Sequence, residues 1–232
     1  MTNFSIKIVL DTVCPWCYLG HRRLQKAISA YQAAHASAAT AGGGSTDTDT
    51  FTITWHAYYL NPEAPPYPGI EKQAYLERRF REVGLLQAMQ ARLAEAGAAD
   101  GVEFRFGGKT GRSRDSHRLV YLAGQKLGSE AQTRVVESLG RAYFLKEENI
   151  TDKAVLVRAA VDADVGIDAV EAKKWLDGDE GGAEVDREAL EETIKYINAV
   201  PHFTIQDKYV VEGAEQPQVF LEIFERVKKE EK

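Results

Sequence analysis

The sequence of 232 residues has only two cysteines, no excess of positive charge and no long apolar run. Lysine and arginine number 29 against 35 aspartates and glutamates, and no basic cluster is denser than His21-Arg22-Arg23 or Arg78-Arg79. A general nucleic-acid surface needs a basic patch, so we expect no nucleic-acid partner. No stretch approaches the length of a transmembrane helix, so we expect no membrane partner.

The beginning of the chain lacks the pattern of a secretory signal. Residues 1–11, MTNFSIKIVLD, contain no basic segment followed by a long apolar run. We therefore expect a cytoplasmic protein, in a compartment where glutathione keeps most thiols reduced. In that setting a lone pair of cysteines is more often catalytic or metal-binding than structural.

The two cysteines, Cys14 and Cys17, stand three positions apart in the stretch DTVCPWCYLG. Two cysteines placed at random would show this spacing in about one chain in a hundred, so chance is a weak explanation. The alternating residues 4–10, FSIKIVL, predict a strand with one strongly buried face. Apolar residues then recur at helical spacing, which predicts a helix from about Pro15 to Ala34 with the CxxC in its first turn.

This position favours redox chemistry at the cysteine pair. A thiolate is stabilised at a helix N-terminus, where unpaired N–H groups and the positive end of the helix dipole point toward it. We expect the sulfur of Cys14 to be exposed and that of Cys17, one turn further on, to lie within reach of a disulfide. These are the positions of an attacking and a resolving cysteine, and the Pro15-Trp16 pair between them contributes to the redox poise.

A zinc site and an inert pair are the other interpretations of the two thiols, and both are less favoured. Zinc needs two further nitrogen or sulfur ligands at a recognisable spacing. The sequence has no third cysteine and shows no paired spacing among its histidines, which are His21, His35, His56, His117 and His202. We therefore predict no metal site, and a hydrogen-bonded structural role for His117.

The chain starts and ends with patterns that alternate strand and helix. A second strand is predicted at 51–58, after small polar residues 36–50 that are expected to form a loop. Two short β-like runs separated by Gln206-Asp207, VPHFTI and KYVVEG, and an amphipathic helix end the chain.

Between these parts, residues from about 70 to 197 are mostly helical in pattern. One helix is predicted over 71–97, another starts at Thr151-Asp152, and Gly97, Gly128 and Gly166 mark helix ends. We predict that the chain divides into an N-terminal βαβ part (1–66), a helical insertion (67–195) and a C-terminal ββα part (196–232). This order predicts an α/β, thioredoxin-like fold with an inserted all-helical subdomain.

Several motifs carry a specific resemblance. In chain order, CPWCYLGHRRL, LNPE, GGKTGRSRDSHRLVYLA and VPHFTIQDKYVVEGAEQP resemble motifs of the DsbA-like thioredoxin family, in its FrnE-like branch. The resemblance covers nearly the whole chain and implies a thioredoxin fold with an inserted helical domain and a cis-proline at Val200-Pro201. The chain departs from the pattern of that branch at Arg112-Ser113 and Ala199, which bears on substrate choice more than on redox chemistry.

The resemblance implies a thiol-disulfide oxidoreductase that acts through a mixed disulfide. Cys14 would attack and Cys17 resolve, and Val200 and Pro201 would hold a substrate chain. We expect Pro15 and Trp16 beside them to contact the substrate, and His202 to carry protons near the thiols. The expected partner is a thiol or disulfide in a protein, a peptide or glutathione. No cofactor is expected, with glutathione considered only as redox partner or cosubstrate.

Two alternatives keep the fold and change the function. The first is a glutathione-dependent isomerase or transferase, similar to 2-hydroxychromene-2-carboxylate isomerase and kappa-class glutathione transferase. A serine usually occupies the attacking position in those proteins, so Cys14 disfavours this alternative. The second is a peptide-binding or chaperone-like module that uses the cleft between the two parts of the chain. Arg22 and Arg23, near the cysteines, are expected on a solvated helix face.

Overall fold

The computed structural model describes residues 1–41, 49–81, 84–194, 197 and 199–231. The structure contains six strands, nine α-helices and one π-helical turn in these described ranges. Their bounds are β1 Asn3–Leu10, α1 Pro15–Ala41, β2 Thr50–Ala57, β3 Ile70–Glu71, α2 Lys72–Arg79, α3 Leu85–Ala99, β4 Lys109–Thr110, α4 Arg114–Leu127, α5 Ser129–Gly140, a π-helical turn Arg141–Leu145, α6 Lys153–Asp162, α7 Ala169–Asp177, α8 Gly182–Ile194, β5 His202–Ile205, β6 Tyr209–Glu212 and α9 Pro217–Glu230.

A central sheet joins the two ends of the chain in the strand order β2-β1-β5-β6. β1 pairs with β2 in parallel and with β5 antiparallel, and β5 and β6 form an antiparallel hairpin. The predicted α/β, thioredoxin-like fold with an inserted helical part is confirmed. The insertion is not all-helical, because β3 and β4 pair within it. The division at residues 66 and 195 stays a prediction.

The buried face of β1 packs against the first and last helices, as its alternating pattern predicts. The Phe4 ring lies 5.2 Å from the ring of Tyr31 on α1 and 5.2 Å from that of Phe224 on α9. The turn of the terminal hairpin is built by Gln206 and Asp207, both at positive φ, and Lys208 N–H donates to Ile205 O at 3.1 Å. This geometry matches the twist of the strands and fixes their register.

Side chains of the inserted helices cover the outer edge of β2. Ala57 N–H donates to Glu188 Oε2 at 2.9 Å, and Trp55 N–H donates to Gln132 Oε1 at 3.4 Å. The Trp55 indole N–H donates to Thr133 Oγ1 at 2.8 Å. The first two bonds satisfy backbone N–H groups at the edge of β2, and all three attach α5 or α8 to the sheet.

Several predicted helix limits differ from the structure. The single helix predicted over 71–97 is two helices, α2 and α3, and Gly84 before the second has a φ of 82°. Gly97 lies inside α3, since that helix continues to Ala99. Helix α7 was not predicted. The loop predicted over 36–50 is helical through Ala41, and its residues 42–48 lie outside the described part of the chain.

Other helix predictions are confirmed. Asp152 caps α6, because its side chain accepts from Ala154 N–H at 2.8 Å, and Gly128 ends α4.

Across the ranges that the structure describes, no helix combines the length and the apolar character that crossing a membrane requires.

Candidate active site

The cysteine pair occupies the first turn of α1, as predicted. Helix α1 begins at Pro15, whose missing N–H costs no hydrogen bond at this position. Cys14 N–H donates to Asp11 O at 3.0 Å, and Cys17 N–H donates to Cys14 O at 3.1 Å. The turn that leaves β1 therefore fixes Cys14 at the helix N-terminus, with Cys17 one turn behind it.

Cys14 is buried, which corrects the expectation of an exposed sulfur. The residue is only 5% exposed, and its S–H donates to the carbonyl of Val200 at 3.7 Å. The segment before β5 lies over the helix N-terminus, a contact between residues far apart in sequence. The Val200–Pro201 peptide bond in that segment is cis.

Cys17 is buried more completely, at 3% exposure. Burial raises the pKa of its thiol well above the ordinary range, and the hydrogen bond and charge of Cys14 act in the same direction. The carboxylate of Asp11 raises this pKa further, against the opposing effect of a backbone hydrogen bond at Asp11. Both cysteines are free in this structure, and the raised pKa of Cys17 favours its protonated form.

A cavity of about 410 Å³ opens beside Cys14 and carries most of the predicted site residues. We call it the active-site cavity. Cys14, Pro15, Trp16 and Val200 line it on the thioredoxin side. The inserted part supplies a mainly apolar wall, which includes Leu76, Phe80, Leu86, Met89, Leu93, Phe104, Phe106, Tyr143 and Phe144.

Pro201 and His202 do not line the active-site cavity. Pro201 packs on helix α1, where a Cβ added at Gly20 would lie 2.8 Å from Pro201 Cγ. His202 is the first residue of β5, and its Nδ1 lies 3.8 Å from Glu212 Oε1 on β6. The structure therefore separates these two residues from the cavity in which Cys14 lies.

Asp11 is a site residue that the sequence analysis missed. Its buried carboxylate accepts from Leu60 N–H at 2.8 Å and from Val13 N–H at 3.2 Å, and it lies 3.5 Å from His117 Nε2. His117 is itself buried. The available signal was an acidic residue between the end of a strand and a CxxC. In the described ranges, no three His, Cys, Asp or Glu side chains are grouped to hold a metal ion.

Lys72 also lines the active-site cavity and was not predicted. It is 7% exposed, its Nζ donates to Tyr143 O at 3.3 Å, and the same atom lies 3.8 Å from the centre of the Tyr143 ring. Burial lowers the pKa of Lys72 to about 8, although Glu147 acts in the opposite direction. A lysine at the start of a helix carries no sequence signal for burial.

Arg23 is buried, which corrects the expectation of a solvated helix face. Its Nε donates to Asp100 Oδ2 at 2.6 Å and its Nη1 to Ala214 O at 2.5 Å. Lys26 Nζ donates to the other oxygen of Asp100 at 2.8 Å. Burial alone would raise the pKa of Asp100, but Lys26 and Arg23 hold it below its usual value. Arg23 therefore positions α1 rather than acting on the thiols.

The strand order, the CxxC in the first turn of α1 and the Val200 segment over Cys14 define a thioredoxin-fold protein with a dithiol site. The DsbA-like thioredoxin domain family model matches residues 5–225. The chain therefore belongs to this family of oxidoreductases, as the motifs predicted. Its place in the FrnE-like branch stays a prediction.

Three solved structures show the same fold. A protein described as a probable DsbA oxidoreductase from Streptomyces coelicolor is 25% identical, with a TM-score of 0.78 over 95% of this chain and 88% of that chain. A 2-hydroxychromene-2-carboxylate isomerase is 15% identical, with a TM-score of 0.62 over 98% and 97%. The cytosolic disulfide reductase DsbM from Pseudomonas aeruginosa, solved with GSH, is 15% identical, with a TM-score of 0.61 over 97% and 99%.

Proposed function

We propose that this protein is a thiol-disulfide oxidoreductase in which Cys14 attacks and Cys17 resolves. The observation that carries the proposal is that only one of the two cysteines reaches the active-site cavity. Cys14 lines the cavity, whereas Cys17, one helical turn further on, is buried and does not line it. A substrate sulfur that enters the cavity meets Cys14 first.

The exchange proceeds in two steps. The Cys14 thiolate attacks one sulfur of a substrate disulfide, forms a mixed disulfide and releases the other sulfur as a thiolate that takes up a proton. Cys17, deprotonated for this step, then attacks Cys14 Sγ, and the substrate leaves as its second thiol. Two electrons pass to the substrate, and the protein holds the Cys14–Cys17 disulfide. The reverse sequence oxidises a substrate dithiol.

Asp11 accepts the proton of Cys17 in this proposal. Cys17 must lose its proton to attack, and burial opposes that loss. Among charged groups, the Asp11 carboxylate already acts on the Cys17 thiol and is itself next to His117. An Asp11→Asn variant should slow resolution of the mixed disulfide and leave the alkylation rate of Cys14 unchanged.

The substrate contacts are proposed at Pro15, Trp16 and Val200, which line the cavity, with Pro201 and His202 supporting the Val200 segment from behind. The Val200 carbonyl already accepts from Cys14, so an extended substrate backbone beside it would place its sulfur close to Cys14. We propose action in the cytoplasm with glutathione as a recycling partner, which the fold shared with cytosolic DsbM supports.

The first experiment is the redox potential of the cysteine pair, measured by equilibration with defined glutathione ratios and trapping of free thiols. A value near about −120 mV would identify a disulfide donor, and one near about −270 mV a reductant. Cys14→Ser should abolish exchange, whereas Cys17→Ser should retain the first step and accumulate mixed disulfide. A pair that forms no disulfide across this range refutes the proposal.

The two alternatives make different predictions for a variant that lacks both thiols. Glutathione-dependent isomerisation in that variant would support an isomerase or transferase, a chemistry for which the 15% identical isomerase structure offers only a shared fold. Client binding that survives the loss of both thiols, without any exchange activity in the wild type, would support a peptide-binding module.

A further inference from the structure

Lys72 places a buried cation in the wall of the active-site cavity. Two other cationic residues, Arg79 and Arg105, line the same cavity, but both are exposed and can be hydrated by water. Lys72 is enclosed by the inserted part: its own N–H donates to Gly108 O at 2.8 Å, and its side chain lies over Tyr143. Lys72 is therefore much less exposed to solvent than either arginine.

No carboxylate is paired with this ammonium in the ranges that the structure describes. Its hydrogen-bond partner is the neutral carbonyl of Tyr143. The Glu147 carboxylate makes its hydrogen bond with a different group, because its Oε1 accepts from Gly107 N–H at 2.7 Å. Buried charges in proteins are ordinarily paired, because desolvation disfavours an isolated ion. The lowered pKa of Lys72 expresses this cost. An anion that entered the cavity would remove it.

The rest of the lining selects for an apolar body. Aromatic and aliphatic side chains form most of the wall, and the volume of about 410 Å³ lies within the range of small-molecule sites. Cys14 and Trp16 belong to the same lining as Lys72. One cavity therefore offers an apolar surface, a single buried cation in Lys72, the buried carboxylate of Asp11 and the sulfur of Cys14.

We propose that the active-site cavity binds small molecules with an aromatic or aliphatic body and one carboxylate, and that Lys72 binds the carboxylate. Acidic, apolar thiols and disulfides are then the preferred low-molecular-weight substrates, a conclusion that rests on the proposed function. The binding itself does not depend on that function, and the two parts are tested separately.

Binding is tested by calorimetry with 2-naphthoate and its uncharged analogue 2-naphthylmethanol, on a Cys14→Ser, Cys17→Ser protein. We expect saturable binding of naphthoate that weakens about tenfold or more in Lys72→Met, and little change for the alcohol. Lys146→Met, an exposed lysine outside the cavity, is the matched control and should leave both unchanged. Equal affinities for the two probes, naphthoate affinity unaffected by Lys72→Met, or no saturable binding would overturn the proposal.

Substrate preference is tested with the cysteines intact. Reduced protein attacks dithiobis(nitrobenzoate), which is anionic, and dithiodipyridine, which is neutral, each time releasing one aromatic thiol. The ratio of the two rate constants should fall about tenfold in Lys72→Met and stay unchanged in Lys146→Met. An unchanged ratio in Lys72→Met contradicts the substrate preference. Naphthoate binding without any thiol release would instead retain the site and reject the oxidoreductase.

Discussion

The buried ammonium of Lys72 should make the stability of this protein depend on pH, and Lys72→Met should remove that dependence. Burial lowers the pKa of Lys72 from 10.5 to about 8. Between those values the Lys72 side chain binds fewer protons in the folded protein than in the unfolded chain, so its contribution to wild-type stability rises with pH across this window. Methionine has no proton to lose. The stability advantage of the variant over the wild type should therefore fall by roughly 2.5 kcal/mol between about pH 7 and about pH 10.

Urea unfolding at both pH values, in a buffer without carboxylates, measures this change. The hydrogen bond to Tyr143 O and the contact with its ring are lost at either pH, so those losses largely cancel in the comparison. Lys146→Met, at an exposed position, should show no such dependence. A Lys72→Met effect that is equal at the two pH values would refute the view that Lys72 is buried as a costly cation.

Three further predictions concern the helix that carries the cysteines. In a Cys14→Ala variant, alkylation of the buried Cys17 should keep accelerating above pH 9.0, the ordinary pKa of a cysteine, and a plateau below that pH would contradict its burial. Arg23→Met should lower the free energy of unfolding by about 3 kcal/mol, because Asp100 loses a buried partner. The control Arg22→Met, at a half-buried position, should change the free energy of unfolding by less than about 0.5 kcal/mol. Gly20→Ala should destabilise the protein by about 1–3 kcal/mol, because the added Cβ would meet the Pro201 ring. Ser29→Ala, at an exposed position of the same helix, is the control. A stabilised Gly20→Ala variant would show that the Pro201 segment moves to accommodate the Cβ.

The parts of the fold that were predictable are those that local pattern determines. The period-two alternation before Cys14 and the two-residue turn at Gln206-Asp207 fix their strands through neighbouring residues. The break between α2 and α3 was missed because helix-forming residues lie on both sides of Gly84, and a single glycine is a weak stop signal. Helix α7 was missed in a short, highly charged stretch, in which Ala172 and Leu176 provide its buried residues.

The candidate site was predictable at the cysteines and much less so around them. Spacing and position after a strand identify Cys14 and Cys17, because the first helical turn brings them together by itself. The burial of Cys14 depends on Val200, which is 186 residues away, and that of Lys72 depends on Tyr143. Such contacts arise only when distant segments pack, so the sequence pattern of either segment alone carries no sign of them.

The two bonds of Arg23 also bear on how the molecule unfolds. One side chain of α1 holds Asp100, just beyond α3, and Ala214, just beyond β6. His21 on the same helix adds a third attachment, to Glu137 on α5 at 3.1 Å. Separating the inserted helices from the sheet would leave buried charges unpaired on both sides, which makes a half-folded state costly. We therefore expect the fold to melt as one cooperative unit, even though its sheet is built from the two ends of the chain.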